Sequence, residues 1–446
     1  MKPTISGIFA AAMIVLLAAS CGNAGEFPRP SISLVGRLNT PTISTQGGVV
    51  YLQMSIVAPT LTVIPHRRPL NLSVVLDRSG SMGDERKIEY AKKALTRLVD
   101  QLDAEDILSI VIYDDVVEVL REARRVGNDR SSIQRLVENI YPRGSTNLGG
   151  GMVQGLRQVE HHLRSDCINR VVLLSDGLAN QGITDPYELN TIARQYRAKR
   201  ISLTTMGVGL DYNENLMVGL AENGGGNYYF IESPNSLASI LNKEFNMLST
   251  VVAQNASIEL TLGRNVTVRD VIGCDYHLQS DRYVVPVGDL SSNECRDFTV
   301  ELLVPPGTGS LTVATGVLRY DSEQKWGDGF PTFTASVCYT KDVALIEKER
   351  DLKVQAKADI AVSTRTVDHA MKALDEGRAA EAAQDLETAN RALSASPAAS
   401  SGAGGAMLRE QAAKLESFGR LLKDTSDARK AKKMIQYDNY RTQKSK

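Results

Sequence analysis

The hydrophobic pattern changes character three times along this chain. From Val50 to Ile56 apolar residues alternate with polar ones, Val50, Leu52, Met54 and Ile56 against Tyr51, Gln53 and Ser55. A two-residue period predicts a strand with one face in a core. Pro59, Pro65 and Pro69 then interrupt the chain. Between Asn71 and Leu248 short apolar runs are separated by amphipathic stretches of helical length. Leu72–Leu76, Ile107–Ile112, Val171–Leu174 and Ile201–Met206 are expected as buried strands. Ile88–Leu102, Ile133–Ile140, Leu148–Leu163 and Leu189–Tyr196 are expected as helices. Gly224-Gly225-Gly226 reads as a turn before the strand Tyr228–Ile231. Such alternation argues for an α/β fold, a doubly wound, mostly parallel sheet with helices on both faces. Its ligand sites belong at the carboxyl ends of the strands.

From Val251 to Tyr339 the period of two returns, in Ile258, Leu260 and Leu262 and again in Phe298, Val300, Leu302 and Val304. Pro305-Pro306-Gly307 and Gly327-Asp328-Gly329 punctuate these runs, as in an antiparallel sandwich. The strands before Pro69 have no sheet of their own, so they are expected to pair here. The α/β unit is then an insertion in a β-sandwich. The remainder reads as helical, with apolar stripes at Val367, Ala370, Met371 and Leu374, at Ala382, Leu386, Ala389 and Leu393, and at Leu408, Ala412, Leu415 and Leu422. Ser394–Ala406, rich in Ser, Ala and Gly, is expected as a flexible linker. The expected division is residues 1–20 as a signal peptide, 27–70 as the first sandwich strands, 71–248 as the α/β domain, 249–340 as the rest of the sandwich, and 341–446 as a C-terminal α-helical region with its linker at 394–406.

A chain of 446 residues is long for one core, since single cores seldom grow beyond ~250–300 residues. A net charge of -1 and a single Trp argue against nucleic acid as a partner, and against general attraction to anionic lipid. The basic end, Arg429–Lys446, reads as a solvated tail.

The start of the chain follows the export pattern: Lys2, an uncharged apolar run from Ile8 to Ala19, then Ala18-Ala19-Ser20 before Cys21. This ending resembles the lipobox of bacterial lipoproteins, whose Cys is acylated and becomes the mature N-terminus. It departs from the commonest form, because Leu17 lies four residues before Cys21 and Ala18 stands where Leu is usual. Cleavage after Ala24 without a lipid is the alternative. The resemblance implies an exported, membrane-anchored lipoprotein, held by lipid alone at the periplasmic side of the outer membrane or at the cell surface. Gly22 after Cys21 favours the outer membrane. Export puts Cys167, Cys274, Cys295 and Cys338 in an oxidising compartment. Cys274 and Cys295 flank a strand region of one domain and are the expected disulfide; buried, unpaired thiols are the alternative.

The residues with chemical potential lie just past strand ends. Asp77-Arg78-Ser79-Gly80-Ser81 follows Leu72–Leu76, Thr146 precedes a helix, and Asp176-Gly177 follows Val171–Leu174. In a parallel sheet these loops emerge at one edge, so the side chains can converge. Two carboxylates and three hydroxyls form a set of hard oxygen donors suited to Mg²⁺, Mn²⁺ or Ca²⁺ rather than zinc or copper.

This set resembles the metal-ion-dependent adhesion site (MIDAS) of von Willebrand factor type A (VWA) domains. Asp77, Ser79 and Ser81 match the first motif, Thr146 the second and Asp176 the third. The resemblance implies a divalent cation, Mg²⁺ before Ca²⁺ or Mn²⁺, whose open coordination position accepts a carboxylate from a protein partner. It covers roughly Asn71–Leu248. The flanking regions look similar to bacterial extracytoplasmic members and, more distantly, to inter-alpha-trypsin inhibitor heavy chains.

Other features point elsewhere less well. Gly144–Gly151 lacks the Gly-Lys-Ser/Thr of a phosphate loop, so no nucleotide is expected; Gly149–Gly151 instead let a helix approach the sheet. His161 and His162 diverge on a helix and read as a solvated end. Asp114-Asp115 could rim the metal face, with a solvated loop as the default. Three functions compete: a metal-dependent binding or adhesion module, an envelope scaffold stiffened by its ion, and a metal-dependent hydrolase using Ser79 or Ser81. No HExxH motif and no recognisable histidine partner support the last, so no catalytic residue is assigned.

Overall fold

The computed structural model describes residues 31–61, 67–322, 329–423 and 428–444. The signal segment with Cys21 and the turn at Gly327-Asp328 lie outside the described residues. Among these residues no helix is long and apolar enough to cross a membrane.

The chain opens with strands β1 (Ser33–Leu38), β2 (Thr42–Ser44) and β3 (Gly48–Val57). The α/β unit follows: β4 (Leu70–Asp77), α1 (Lys87–Gln101), β5 (Ile107–Tyr113), β6 (Val117–Arg125), α2 (Arg130–Glu138), α3 (Leu148–Glu160), β7 (Ile168–Ser175), α4 (Pro186–Ala198), β8 (Ser202–Val208), α5 (Glu214–Gly224), β9 (Gly225–Ile231) and α6 (Leu237–Ser249). Its six strands run in the order β6-β5-β4-β7-β8-β9. All neighbours are parallel except the edge hairpin of β5 and β6. Along β4, Leu70, Leu72, Val74 and Leu76 enter the core beneath α1 and α6, whereas Val75 enters the core beneath α3. A strand buried on both faces reads as a continuous apolar run, which is why Leu72–Leu76 was visible as a strand. Helix α3 comes close because Gly155 has no side chain: a β-carbon there would lie 2.2 Å from Val75 Cγ2. Gly151 does the same against Tyr113, at 2.5 Å from Cδ1. The chain leaves β4 toward β5 on one side and returns to β7 on the other, so β4 is the topological switch point, where α/β sheets bind ligands.

The sandwich is completed by β10 (Val251–Leu262), β11 (Thr267–Ile272), β12 (His277–Gln279), β13 (Arg282–Ser291), β14 (Cys295–Val304), β15 (Ser310–Asp321) and β16 (Thr332–Thr340). One sheet is β1-β3-β14-β11 and the other β12-β13-β10-β15-β16-β2. Strand β3 pairs antiparallel with β14, Met54 opposite Phe298, so the first strands do join the region after the α/β unit. Leu52, Met54, Val300, Ile258 and Leu318 share the core between the sheets.

The C-terminal helices are α7 (Val343–Lys348), α8 (Leu352–Asp375), α9 (Ala379–Ser394), α10 (Gly402–Lys423) and α11 (Ala428–Gln443). Two expectations are corrected here. Within Ser394–Ala406, residues 402–406 form the first turns of α10 and Ala398 is buried, so this stretch is a packed turn rather than a flexible linker. The basic end is not a solvated tail: Ile435, Asn439 and Tyr440 of α11 are buried, and Tyr440 joins the α/β core.

The expected disulfide is also corrected. All four cysteines within the described residues are free thiols. The ladder sets Ile272, at the end of β11, opposite Thr299, while Cys295 lies four residues further along β14 opposite Val57. Cys274 packs against the sandwich core, whereas Cys295 is exposed at the start of β14.

Candidate metal centre

Three loops at the carboxyl edge of the sheet build this site. Asp77 ends β4, where its side chain points away from the apolar face of Leu76 and is fully buried. Its Oδ1 accepts the Ser79 N–H at 2.8 Å, and its Oδ2 accepts the Ser175 hydroxyl, also at 2.8 Å. Ser79 Oγ and Ser81 Oγ are 3.2 Å apart, and Ser81 donates to Asp176 Oδ1 at 2.8 Å. Asp176 follows the last residue of β7, and its Oδ2 accepts Lys87 Nζ at 2.8 Å. Thr146 is fixed by its backbone, whose N–H donates to Asn180 Oδ1 at 2.9 Å and whose carbonyl accepts the Asn180 N–H at 3.2 Å. The five expected side chains thus gather in one place.

Gly177 forms the floor. A β-carbon built there would lie 3.3 Å from Thr146 Oγ1 and 3.7 Å from Ser81 Oγ. The missing side chain leaves a small cradle between hydroxyls that come from different loops. An oxygen-only donor set around such a cradle fits a hard divalent cation.

The electrostatics of the two carboxyl groups differ. Burial pushes Asp77 up to about 6, opposed by the Ser79 hydroxyl and N–H, with the Asp176 charge pushing it further up. Asp176 instead faces an ammonium within a buried ion pair. Behind them Tyr113, wholly buried, donates to the Leu174 carbonyl at 3.0 Å. Burial, and then the Asp77 charge, push its phenol well above the usual range.

Sequence reasoning missed two participants, Ser175 and Lys87. Ser175 sits one residue before the Asp176-Gly177 motif and just past the expected strand, with no signal of its own. Lys87 carried a faint signal, because it extends the buried stripe of Ala91, Ala94, Leu95 and Leu98 by one helical turn. A lysine continuing an apolar stripe implies a buried partner. The chain reaches it through Glu85 and Arg86, both left-handed at φ 50° and 59°. Two such non-glycine residues cost about 1–3 kcal/mol each and tend to occur where position matters.

Asp114 is not a solvated rim residue. Its buried carboxylate accepts Arg78 Nε and Arg143 Nε, each at 2.8 Å, and the Val116 N–H at 2.7 Å. It therefore braces the loops that carry Ser79 and Thr146, since Arg78 and Arg143 belong to those loops. Asp115 is exposed beside Gly144. His161 and His162 form an exposed end of α3, as expected. Ser81 donates to a carboxylate already tied to Lys87, a poor base for making a nucleophile.

Residues 71–243 match the von Willebrand factor type A domain family. The uncharacterized protein YfbK of Escherichia coli (strain K12) is 30% identical over 191 residues, 43% of this chain and 33% of YfbK. Inter-alpha-trypsin inhibitor heavy chain H3 of Homo sapiens is 27% identical over 160 residues, 34% of this chain and 18% of that protein. The matched stretch therefore spans under half the length of these curated relatives. A solved von Willebrand factor type A structure from Catenulispora acidiphila superposes with a TM-score of 0.72 at 16% identity, covering 94% of this chain and 98% of that one. That likeness extends the shared fold to the sandwich and the helical region. Domains of this kind are typically metal-dependent protein-interaction modules rather than enzymes. Sequence match, fold and switch-point geometry agree, and residues 71–243 of this chain are a von Willebrand factor type A domain.

Proposed function

We propose that this protein is a cation-dependent protein-binding module, held outside the cytoplasm by a lipid on Cys21. Asp77, Ser79, Ser81, Thr146 and Asp176 would hold the ion, Mg²⁺ first, with Ca²⁺ or Mn²⁺ as alternatives. The observation that carries the reading is the convergence of oxygen donors from three loops on the cradle above Gly177. When bound, the ion supplies concentrated positive charge and an open position for a partner's carboxylate. The chain's own part is to fix the donors: Asp114 ties the loops together, and Ser175 and the Ser79 N–H orient Asp77. Exposed Leu178 and Tyr141 adjoin two of the site loops and offer apolar contact beside the charge. The lipid anchor rests on the segment from Ile8 to Cys21 alone.

Calorimetry with Mg²⁺ tests the site. Asp77→Ala is expected to abolish uptake, and Ser79→Ala and Thr146→Ala to weaken it, because water replaces a hydroxyl more readily than a charge. Capture of a partner from the native envelope should fail both in EDTA and with Asp77→Ala. Unchanged Mg²⁺ uptake in Asp77→Ala would sink the assignment. The anchor is tested separately, since Cys21→Ser should lose palmitate labelling.

A further inference from the structure

Lys87 Nζ stands 2.8 Å from Asp176 Oδ2, with 5% of the lysine side chain and none of the carboxylate exposed. The ammonium has little room to withdraw. A β-carbon on Gly209, just past β8, would lie 3.2 Å from Lys87 Cε and 3.5 Å from Nζ, so backbone closes that side. The left-handed pair Glu85 and Arg86 fixes the direction from which the side chain enters. The neighbouring charges Arg78, Arg143, Asp114 and Glu118 pair among themselves and cancel in sign.

We propose that Lys87 strengthens the coupling between cation binding and carboxylate binding at this site. The inference rests on the reading of the site as a divalent-cation centre. With Asp77 and Asp176 ionised, the set carries two negative charges and Lys87 one positive, a net of one negative. A divalent cation turns this into one positive, and a carboxylate from the partner then brings it to zero. Without Lys87 the same steps run from two negative, to zero, to one negative. Uncompensated charge is costly in a buried site, so the state with ion and carboxylate together is the balanced one. Lys87 therefore opposes the ion alone and favours the ion with its ligand. By linkage, each raises the affinity of the other. A protein so built releases its ion readily when unoccupied and holds it when a partner supplies an acidic side chain.

The test uses the full chain, Mg²⁺ and acetate as the carboxylate probe. Lys87→Met keeps the aliphatic stem and removes the charge. It is expected to bind Mg²⁺ roughly tenfold more tightly than the wild type, as loss of a nearby like charge requires. In the Mg²⁺-loaded state it is expected to bind acetate more weakly, and acetate should raise Mg²⁺ affinity by a larger factor in the wild type than in the variant. These changes have opposite signs, whereas simple damage to the fold weakens both. Should Lys87→Met fail to fold, Lys87→Gln keeps a hydrogen bond to Asp176 without the charge and is measured instead. Equal Mg²⁺ affinity with and without Lys87, or acetate held equally well, overturns the inference while leaving the metal site standing. A wild type that takes up no divalent ion overturns both.

Discussion

Asp77 and Asp176 are the same chemical group in opposite electrostatic settings. Asp176 is neutralised by Lys87 at 2.8 Å. Asp77 has a hydroxyl and an N–H as partners, and burial pushes it up to about 6. Between its ordinary 3.8 and about 6, the ion-free folded chain keeps a proton on Asp77 that the unfolded chain has released. That group therefore stabilises the ion-free fold at low pH, and the contribution is lost as pH rises through about 6. Mg²⁺ needs the ionised carboxylate, so the gain runs the other way. The melting temperature should rise more on adding Mg²⁺ at about pH 7.5 than at about pH 5. Equal rises would mean that ion and proton do not compete at Asp77. The five donors were legible in the sequence because Asp-x-Ser-x-Ser, the later Thr and the later Asp-Gly each follow a recognisable strand or precede a recognisable helix. Lys87 and Ser175 were not, since their importance lies in bonds to residues 89 and 98 positions away.

At the scale of elements, α11 shows why composition misleads. Lysines and arginines crowd it and the residues just after it, and a basic terminus resembles a solvated tail. In the structure the lysines are spent on carboxylates: Lys433 and Lys432 both reach Glu214 at 2.6 Å, and Lys444 reaches Glu222 at 3.0 Å. Between them Tyr440 meets Tyr228 edge-on, centroids 5.6 Å apart, and accepts the Tyr228 N–H at 3.1 Å. Tyr440→Ala removes a buried ring and a bond to a strand-edge N–H, so it should cost about 3–5 kcal/mol, as aromatic truncations do. Thermal unfolding should register the loss, and limited proteolysis should then cut near α11. A melting temperature within a degree or so of wild type would mean that α11 merely rests on the domain. The stretch 394–406 misled in the same way. Its small residues serve contact rather than flexibility, since a β-carbon on Gly404 would lie 3.0 Å from the Leu352 carbonyl at the start of α8. In β3, Gln53 alternates as a solvent-facing residue should, yet it is buried because α8 covers that face of the sheet.

Across the whole molecule, the inserted domain is tied to the sandwich by buried charge. Arg170 on β7 reaches Asp289 on β13 at 2.8 Å, and Glu244 on α6 lies 3.9 Å from the same guanidinium. Glu244 is held in turn by Thr204, Asn227 and Tyr229. Asp289→Ala leaves Arg170 buried without its nearest carboxylate, a loss of about 3–5 kcal/mol for pairs broken in this way. One cooperative transition at a lower temperature is expected in calorimetry. Two separated transitions in the wild type would show instead that the domain and the sandwich unfold independently. Most of the α/β alternation, the insertion of that unit in a sandwich and the five candidate donors were legible in the chain, although β6, α5 and α6 were not. The legible features are written in local periodicity and in motifs at strand ends, which depend on residues close together in the chain. Which residues surround those donors, where α11 and the small-residue turn pack, and the free state of Cys274 and Cys295 emerged from the folded chain. Each of those depends on register and approach between elements distant in sequence, where a side chain's burial and charge partner are set by whatever the fold brings against it.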